Sequence, residues 1–293
     1  MPLTRLVRMK AIAKLGRTGE VLIRFESYFM GDDRKMDEYL KAACAAAKKA
    51  AEYLYRKQGA GKTRYKKGRE LVTESDIESQ EIIFDELERF GLPFQSEEKN
   101  SKLSKGTRWV IDPIDGTEHF VRNAPFYSVS IALVKDDLPV IGVVNVPGLD
   151  LEYRAQKKEG AFRNGKPIRV SRVVSLDYAS VFIHPYRRFK MAGYEGAFLQ
   201  LSKKIRHPRY FASSEFELAF MAEGAADAVA KPAFRLWDVA AGAIIVTEAG
   251  GKITDFDGKA WNANSNALLA TNGRVHKALL ELIKKERGKK ICK

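Results

Sequence analysis

Trp109-Val-Ile-Asp-Pro-Ile-Asp-Gly-Thr117 decides how this chain is read. The apolar run Trp109 to Ile111 reads as a buried strand that delivers Asp112 to its end. Pro113 fixes φ and is expected to force the chain out of the strand. Asp115 follows three positions after Asp112, in a turn that folds both carboxylates toward one point. Gly116 and Thr117 open a short helix, whose free backbone N–H groups would face the same point. Two carboxylates before a helix N-terminus make a place for divalent cations together with an oxyanion. Phosphate held by metal is the natural reading.

Outward from this stretch, 37–55 is alanine-rich with strong helix propensity, and a second helix is expected from about Asp76 to Phe90, stopped by Gly91 and Pro93. Gly59 to Gly68 is polar, basic and glycine-punctuated, and reads as a mobile loop. Strands are expected at Arg108–Ile111, Tyr127–Val134, Val140–Val146 and Leu151–Ala155, with a turn at Gly160–Gly165. Beyond about Ser171 strands and helices alternate: strands at Ser180–Ile183, Arg209–Ala212 and Ala226–Val229, helices at Ala192–Lys203, Glu215–Glu223, Asp238–Ala249 and Val275–Lys285. The fold class is α/β, with an α+β N-terminal half and an α/β C-terminal half. Three regions are expected: a basic N-terminal extension over 1–35, a metal- and phosphate-binding domain over 36–170, and a substrate-side domain over 171–293. A weakly amphipathic helix would fit the first 15 residues; the segment is acid-free until Glu20 but poor in serine for a transit peptide.

Composition narrows the classes. The 293 residues, 45% hydrophobic and 30% charged, are those of a globular chain. No apolar run approaches the roughly 18 residues a membrane span needs. Cys44 and Cys292 offer neither a disulfide framework nor metal-binding spacing, so a reducing compartment, the cytoplasm, is expected. The net charge of +14 fits a solvated lysine-rich surface, attraction of phosphorylated substrates, or nucleic acid; no nucleic-acid motif accompanies it. His119, His184, His207 and His276 share no ligand spacing and read as structural or surface residues.

Three further segments join the first in order: Val72-Thr-Glu-Ser-Asp76, Ser96-Glu-Glu98 and Trp237-Asp-Val-Ala-Ala-Gly242. With Asp-Pro-Ile-Asp-Gly-Thr they resemble the motifs of the inositol monophosphatase family, lithium-sensitive, magnesium-dependent phosphomonoesterases that include archaeal-type fructose-1,6-bisphosphatases and 3′-phosphoadenosine 5′-phosphate phosphatases. The resemblance runs from about Met36 to the C-terminus. It implies a layered α-β-α-β-α sandwich of the sugar-phosphatase type, with the site between the halves, and a homodimer. It also implies two or three Mg2+ ions held by Glu97, Asp112, the Ile114 carbonyl, Asp115 and Asp238, Asp112 bridging two of them. Carboxylates without a Cys or His cluster suit such a hard cation, and four of them would repel one another without one. By the same resemblance Thr117 passes a proton from the attacking water to Asp76, Glu98 supports the site through ordered water, and the Gly116 and Thr117 amides hold phosphate.

The substrate side departs from the family. Animal-type inositol monophosphatases carry an acidic residue seven positions before the last aspartate; here that position is Lys231. An ammonium there favours a second anionic group on the substrate, unless Lys231 points to solvent. Glu118 and His119 follow the core motif where Thr-Asn or Phe-Asn is common. Ser213 and Ser214 sit where relatives meet the leaving group, and would either donate to sugar hydroxyls or cap the next helix. Lys66 or Lys67 of the basic loop would reach the phosphate. The expected activity is magnesium-dependent hydrolysis of a small phosphorylated polyol or sugar, inositol-1-phosphate or fructose-1,6-bisphosphate. The alternatives are a bisphosphate-nucleotide phosphatase and a non-catalytic metal- or RNA-binding homologue.

Overall fold

The structure, a computed structural model, describes residues 7–15, 21–59, 63–65, 71–98 and 106–287; of 7–15, 21–33 and 65 it describes the backbone alone. Lys66 and Lys67 lie outside the described residues, as does Cys292. The chain divides into two compact units, Met1–Lys41 and Ala42–Lys293. In the first, β1 (Val7–Leu15) and β2 (Val21–Phe29) pair antiparallel, Val7 opposite Phe29. This corrects the helix expected near the start. Val7, Met9, Ala11, Ala13 and Leu15 alternate with Arg8, Lys10 and Lys14 in the sequence, and a period of two is a strand's, not a helix's.

Helix α1 (Met30–Lys57) buries Ala43, Ala46, Ala47, Ala50 and Leu54, a stripe at helical spacing. The ribbon of β3 (Thr63–Tyr65) and β4 (Leu71–Thr73) leads into α2 (Glu74–Leu87). The second helix was expected to run to Phe90; its last turn tightens into a 3-10 turn over Glu88–Phe90, ended by left-handed Gly91.

A seven-stranded sheet follows. It is built from β5 (Phe94–Ser96), β6 (Arg108–Asp115), β7 (Ser128–Lys135), β8 (Leu138–Val146), β9 (Leu151–Gln156), β10 (Gly160–Arg163) and β11 (Lys166–Pro167), lying side by side in that order. Only β5 and β6 are parallel. The short helix α3 (Thr117–Val121) sits between β6 and β7. Two expectations are corrected here. Gly160–Arg163 is a strand paired with β9, and only Asn164-Gly165, both at positive φ, make the turn. Pro113 does not end β6: the strand continues to Asp115 through a register shift between Asp112 and Asp115. Proline is tolerated at such a bulge because no ladder N–H is needed there.

The second sheet has five strands in the order β13-β12-β14-β16-β15. In chain order its elements are β12 (Ser180–Ile183), α4 (Tyr186–Met191), α5 (Glu195–Lys204), β13 (His207–Arg209), α6 (Ser214–Ala222), β14 (Ala228–Pro232), α7 (Ala240–Glu248), β15 (Lys252–Thr254), β16 (Ala267–Thr271) and α8 (His276–Lys285). The helix expected over Ala192–Lys203 is α5, which starts only at Glu195, after Gly193 with φ of 77°; α4, just before it, is a helix the sequence reading missed. The strand expected at Arg209–Ala212 lies earlier, at His207–Arg209.

Helices α6 and α7 form the middle layer. Phe216, Leu218, Ile244 and Ile245 are buried in one cluster with Val110, Val144 and Tyr153 of the first sheet and Phe182 and Val229 of the second. On the other face of the second sheet, α5 and α8 bury Leu201, Leu279 and Ile283 against Val181, Ala228 and Leu269. With α1 and α2 the layers run α-β-α-β-α. No helix among the described residues is long and apolar enough to cross a membrane.

The tightest seam is between β8 and α7. A Cβ on Gly142 would stand 2.5 Å from the Ala241 carbonyl oxygen and 2.5 Å from Ile244 Cγ2. Gly142→Ala is therefore expected to force the helix off the sheet and cost about 1–3 kcal/mol. Urea unfolding of wild type and variant checks this; equal midpoints would mean the seam is loose.

Candidate active site

The site begins where α2 begins. Thr73 caps the helix: its amide and its hydroxyl donate to Asp76 Oδ2, both at 2.7 Å, while Asp76 N donates back to Thr73 Oγ1 at 3.3 Å. Two donors on Oδ2 fix the carboxylate and leave Oδ1 turned outward. Thr117 Oγ1 meets Oδ1 at 3.3 Å and the Ile114 carbonyl at 3.1 Å. Forty-one positions apart in sequence, Thr117 and Asp76 are thus brought into contact.

Strand β6 delivers the two aspartates. Its bulge turns Asp112 and Asp115 differently, and both are buried. Among the described residues the Asp112 carboxylate accepts one hydrogen bond, from the Ile114 amide at 3.1 Å. Burial first, then the charges of Glu97, Asp115, Asp238 and Asp76, hold its carboxyl well above the usual carboxylate range. Four carboxylates therefore converge on Asp112, three of them from segments other than its own strand.

Asp115 is held differently. Its Oδ2 accepts from Ser213 Oγ at 2.7 Å, Glu215 N at 2.8 Å and Ser128 Oγ at 3.3 Å, and its Oδ1 from Ser214 N at 3.0 Å. The carboxylate thus caps α6 from β6, and of the two alternatives for Ser213 capping is not the one seen: Ser213 makes no side-chain cap bond there. Burial still lifts the Asp115 carboxyl to about 6, with the nearby Lys231 ammonium and the Ser213 hydroxyl pulling it down. Gly116 makes this approach possible. It adopts φ of 89°, and a Cβ on it would stand 3.0 Å from the Phe126 carbonyl and 3.2 Å from Ser213 Cβ.

Asp238 ends a 3-10 turn, where its Oδ2 accepts from Arg235 N at 3.0 Å. It does not cap α7. That cap comes from Glu215, a residue sequence reasoning missed: its carboxylate is fully buried and accepts from Ala241 N at 3.0 Å and Gly242 N at 2.5 Å. Burial and the Asp115 charge hold the Glu215 carboxyl well above the usual range. No local signal marks it, because its partners lie 26 and 27 positions away. Lys231 does not point to solvent. It is buried, its ammonium donates to Ser214 Oγ, and it stands 3.4 Å from Asp238 Oδ2.

Glu97 and Glu98 are half-buried at the end of β5, and Glu97 lines, with Trp237 and Asp238, a cavity of about 1210 Å3 that Arg188, Arg235 and Arg287 also border. All four histidines were expected to be structural or surface residues: His119 bonds the Phe211 carbonyl, and His276 bonds Thr254 and Thr271. His207 lies exposed on β13. His184 is buried against Glu217, 3.1 Å away, next to the site; burial and Lys231 hold its pKa down.

The donor chemistry fits a hard divalent cation: carboxylates and a carbonyl, crowded enough to resist their own charge. Among the described residues no three acidic, His or Cys side chains close a coordination sphere by themselves. Magnesium does not require that, since it keeps several waters and takes few carboxylates.

Residues 35–289 match the inositol monophosphatase family as a whole. The chain belongs to that family. It is 36% identical to the fructose-1,6-bisphosphatase/inositol-1-monophosphatase of Thermotoga maritima over 73% of this chain and 83% of that protein. It is also 36% identical to the histidinol-phosphatase of Streptomyces coelicolor, over 71% and 82%. The solved Thermotoga maritima IMPase superposes with a TM-score of 0.77 at 32% identity, covering 86% of this chain and 97% of that one. As a member of the inositol monophosphatase family the protein is a phosphoric monoester hydrolase, in a family of generally metal-dependent phosphatases that act on small phosphorylated substrates.

In the folded chain Asp112 and Asp115 keep protons that the unfolded chain releases near its ordinary value of 3.8. Metal-free stability from these groups therefore falls as pH rises from about 4 through about 6. In EDTA, Asp112→Asn should melt about 3 °C above wild type at pH 7, with the gap closing toward pH 4. A gap that does not change between the two pH values in thermal unfolding would remove charge repulsion as the cause.

Proposed function

We propose that the protein is a magnesium-dependent phosphomonoesterase for a small phosphorylated polyol or sugar, inositol-1-phosphate or fructose-1,6-bisphosphate. The observation that carries this is the contact of Thr117 Oγ1 with Asp76 Oδ1 beside a buried, charge-crowded Asp112. Glu97, Asp112 and the Ile114 carbonyl would hold one cation, and Asp115 and Asp238 another. When bound, Mg2+ supplies charge for the phosphoryl group and acidifies water.

The chain's own residues do the rest. Thr117 Oγ1 accepts a proton from the attacking water and passes its own to Asp76 Oδ1, whose other oxygen Thr73 already fixes. If the Ile114 carbonyl held a cation it would be a poorer acceptor, which would leave the Thr117 proton to Asp76. The Gly116 and Thr117 amides would meet the phosphate, and Glu98 would support the cluster through water. Ser213, committed to Asp115, sets the wall of the leaving-group side. Ser214 accepts from Lys231, which leaves its hydroxyl proton for a substrate hydroxyl.

The cavity of about 1210 Å3 has room for a nucleotide as well as a sugar, and Arg188 and Arg235 border it beside the carboxylates of Glu97, Asp238, Asp255 and Asp257. That supports 3′-phosphoadenosine 5′-phosphate as the second reading. A non-catalytic role fits less well, because the Thr73–Asp76–Thr117 chain of hydrogen bonds stabilises the fold little beyond its helix cap.

Phosphate release with and without Mg2+ tests this on inositol-1-phosphate, fructose-1,6-bisphosphate, histidinol phosphate and 3′-phosphoadenosine 5′-phosphate. Mg2+-dependent turnover of one of them is expected, abolished in Asp112→Asn. Thr117→Val should lower kcat about 10²–10³-fold with the Mg2+ requirement unchanged. Near-wild-type kcat in that variant would remove Thr117 from proton transfer, and silence across the panel from folded protein would count against the substrate class.

A further inference from the structure

The acidic cluster is asymmetric. On one side Asp112 has, among the described residues, a single amide donor and is surrounded by other carboxylates. On the other, the two Asp115 oxygens share four protein donors, and Asp238 Oδ2 already accepts from Arg235 N. The cation on this second side is part of the chain. In β14, Val229 belongs to the core between the two sheets, while Ala228 and Ala230 belong to the core on the outer face. Alternation along the strand therefore points Lys231 inward with Val229, toward α6.

There Lys231 is 5% exposed, its ammonium donates to Ser214 Oγ, and it lies 3.4 Å from Asp238 Oδ2. A lysine is buried this far only when its charge is matched. It is matched here by Asp238, the carboxylate its ammonium faces. A cation arriving at Asp115 and Asp238 would meet this fixed positive charge at close range, in a poorly hydrated place where like charges repel strongly.

We propose that Lys231 is a built-in cation for the Asp115–Asp238 side of the cluster, and that its charge lowers the affinity of that side for a divalent ion. This rests on the metal-dependent reading of the site and specifies its charge. Lys231 acts as a positioning residue: it neutralises part of the cluster without a second tightly held ion, and keeps Ser214 oriented.

The test is Mn2+ titration of metal-free protein, with free ion read by electron paramagnetic resonance. Wild type should show a tight and a weak class of ion, at least tenfold apart. Lys231→Met should tighten the weak class at least tenfold and leave the tight class within twofold. Lys231→Gln, which can still donate to Ser214, should do the same and serves if the Met variant does not fold. Unchanged affinities in the variants, or a weak class that weakens further, would overturn the proposal while leaving the metal site standing. No Mn2+ binding by wild type would overturn both. Selective loss of bisphosphate binding with unchanged Mn2+ affinities would overturn it in favour of a substrate contact for Lys231.

Discussion

The Asp115 carboxylate, accepting the Ser214 and Glu215 amides at the start of α6, is the bond on which the site depends. It joins the last residue of β6 to a helix that begins about a hundred positions later. A carboxylate at a helix N-terminus is favoured by the unpaired amides and by the helix dipole. The same device then repeats one step on. Glu215, in the first turn of α6, caps α7 through Ala241 and Gly242, and α7 follows directly on the turn that carries Asp238. Helix capping thus registers Asp115, α6, α7 and Asp238 against one another, without calling on bound ions.

This arrangement divides the acidic residues into two kinds. Asp115, Glu215 and Asp76 are satisfied by amide and hydroxyl donors, and their charge is partly spent on holding the fold. Among the described residues Asp112 has one such partner, and its burial among carboxylates is unfavourable until something positive arrives. Local instability placed at one residue, in a frame made stable by its neighbours, is what an ion-dependent site needs. Lys231 fits the same division, since its ammonium sits on the side where the carboxylates are already satisfied.

Much of the site was legible because its parts are local. Asp112-Pro-Ile-Asp-Gly-Thr117 and Val72-Thr-Glu-Ser-Asp76 each carry their own turn or cap, so residue order alone announces a carboxylate pair or a capped helix. The errors have equally local causes. Pro113 reads as a strand breaker until a bulge is known to receive it. Gly160–Gly165 reads as a turn because two glycines outweigh the Ala161-Phe162 pair between them. The start of the chain reads as a weak helix because its apolar residues were matched to the wrong period.

The sequence by itself determined the acidic motifs, the helix carrying the Ala43–Leu54 stripe, and the alternation of strands and helices in the second half. Each is a matter of neighbours within a few positions, where spacing translates directly into a face or a turn. Only the tertiary structure decided that Ser213 serves Asp115, that Glu215 caps α7, and that Lys231 turns inward onto Asp238. Those pairings join segments separated by anything from seven to a hundred positions, across two sheets. Which donor meets which carboxylate there is fixed by how α6 and α7 pack between the sheets, and no local pattern encodes that packing.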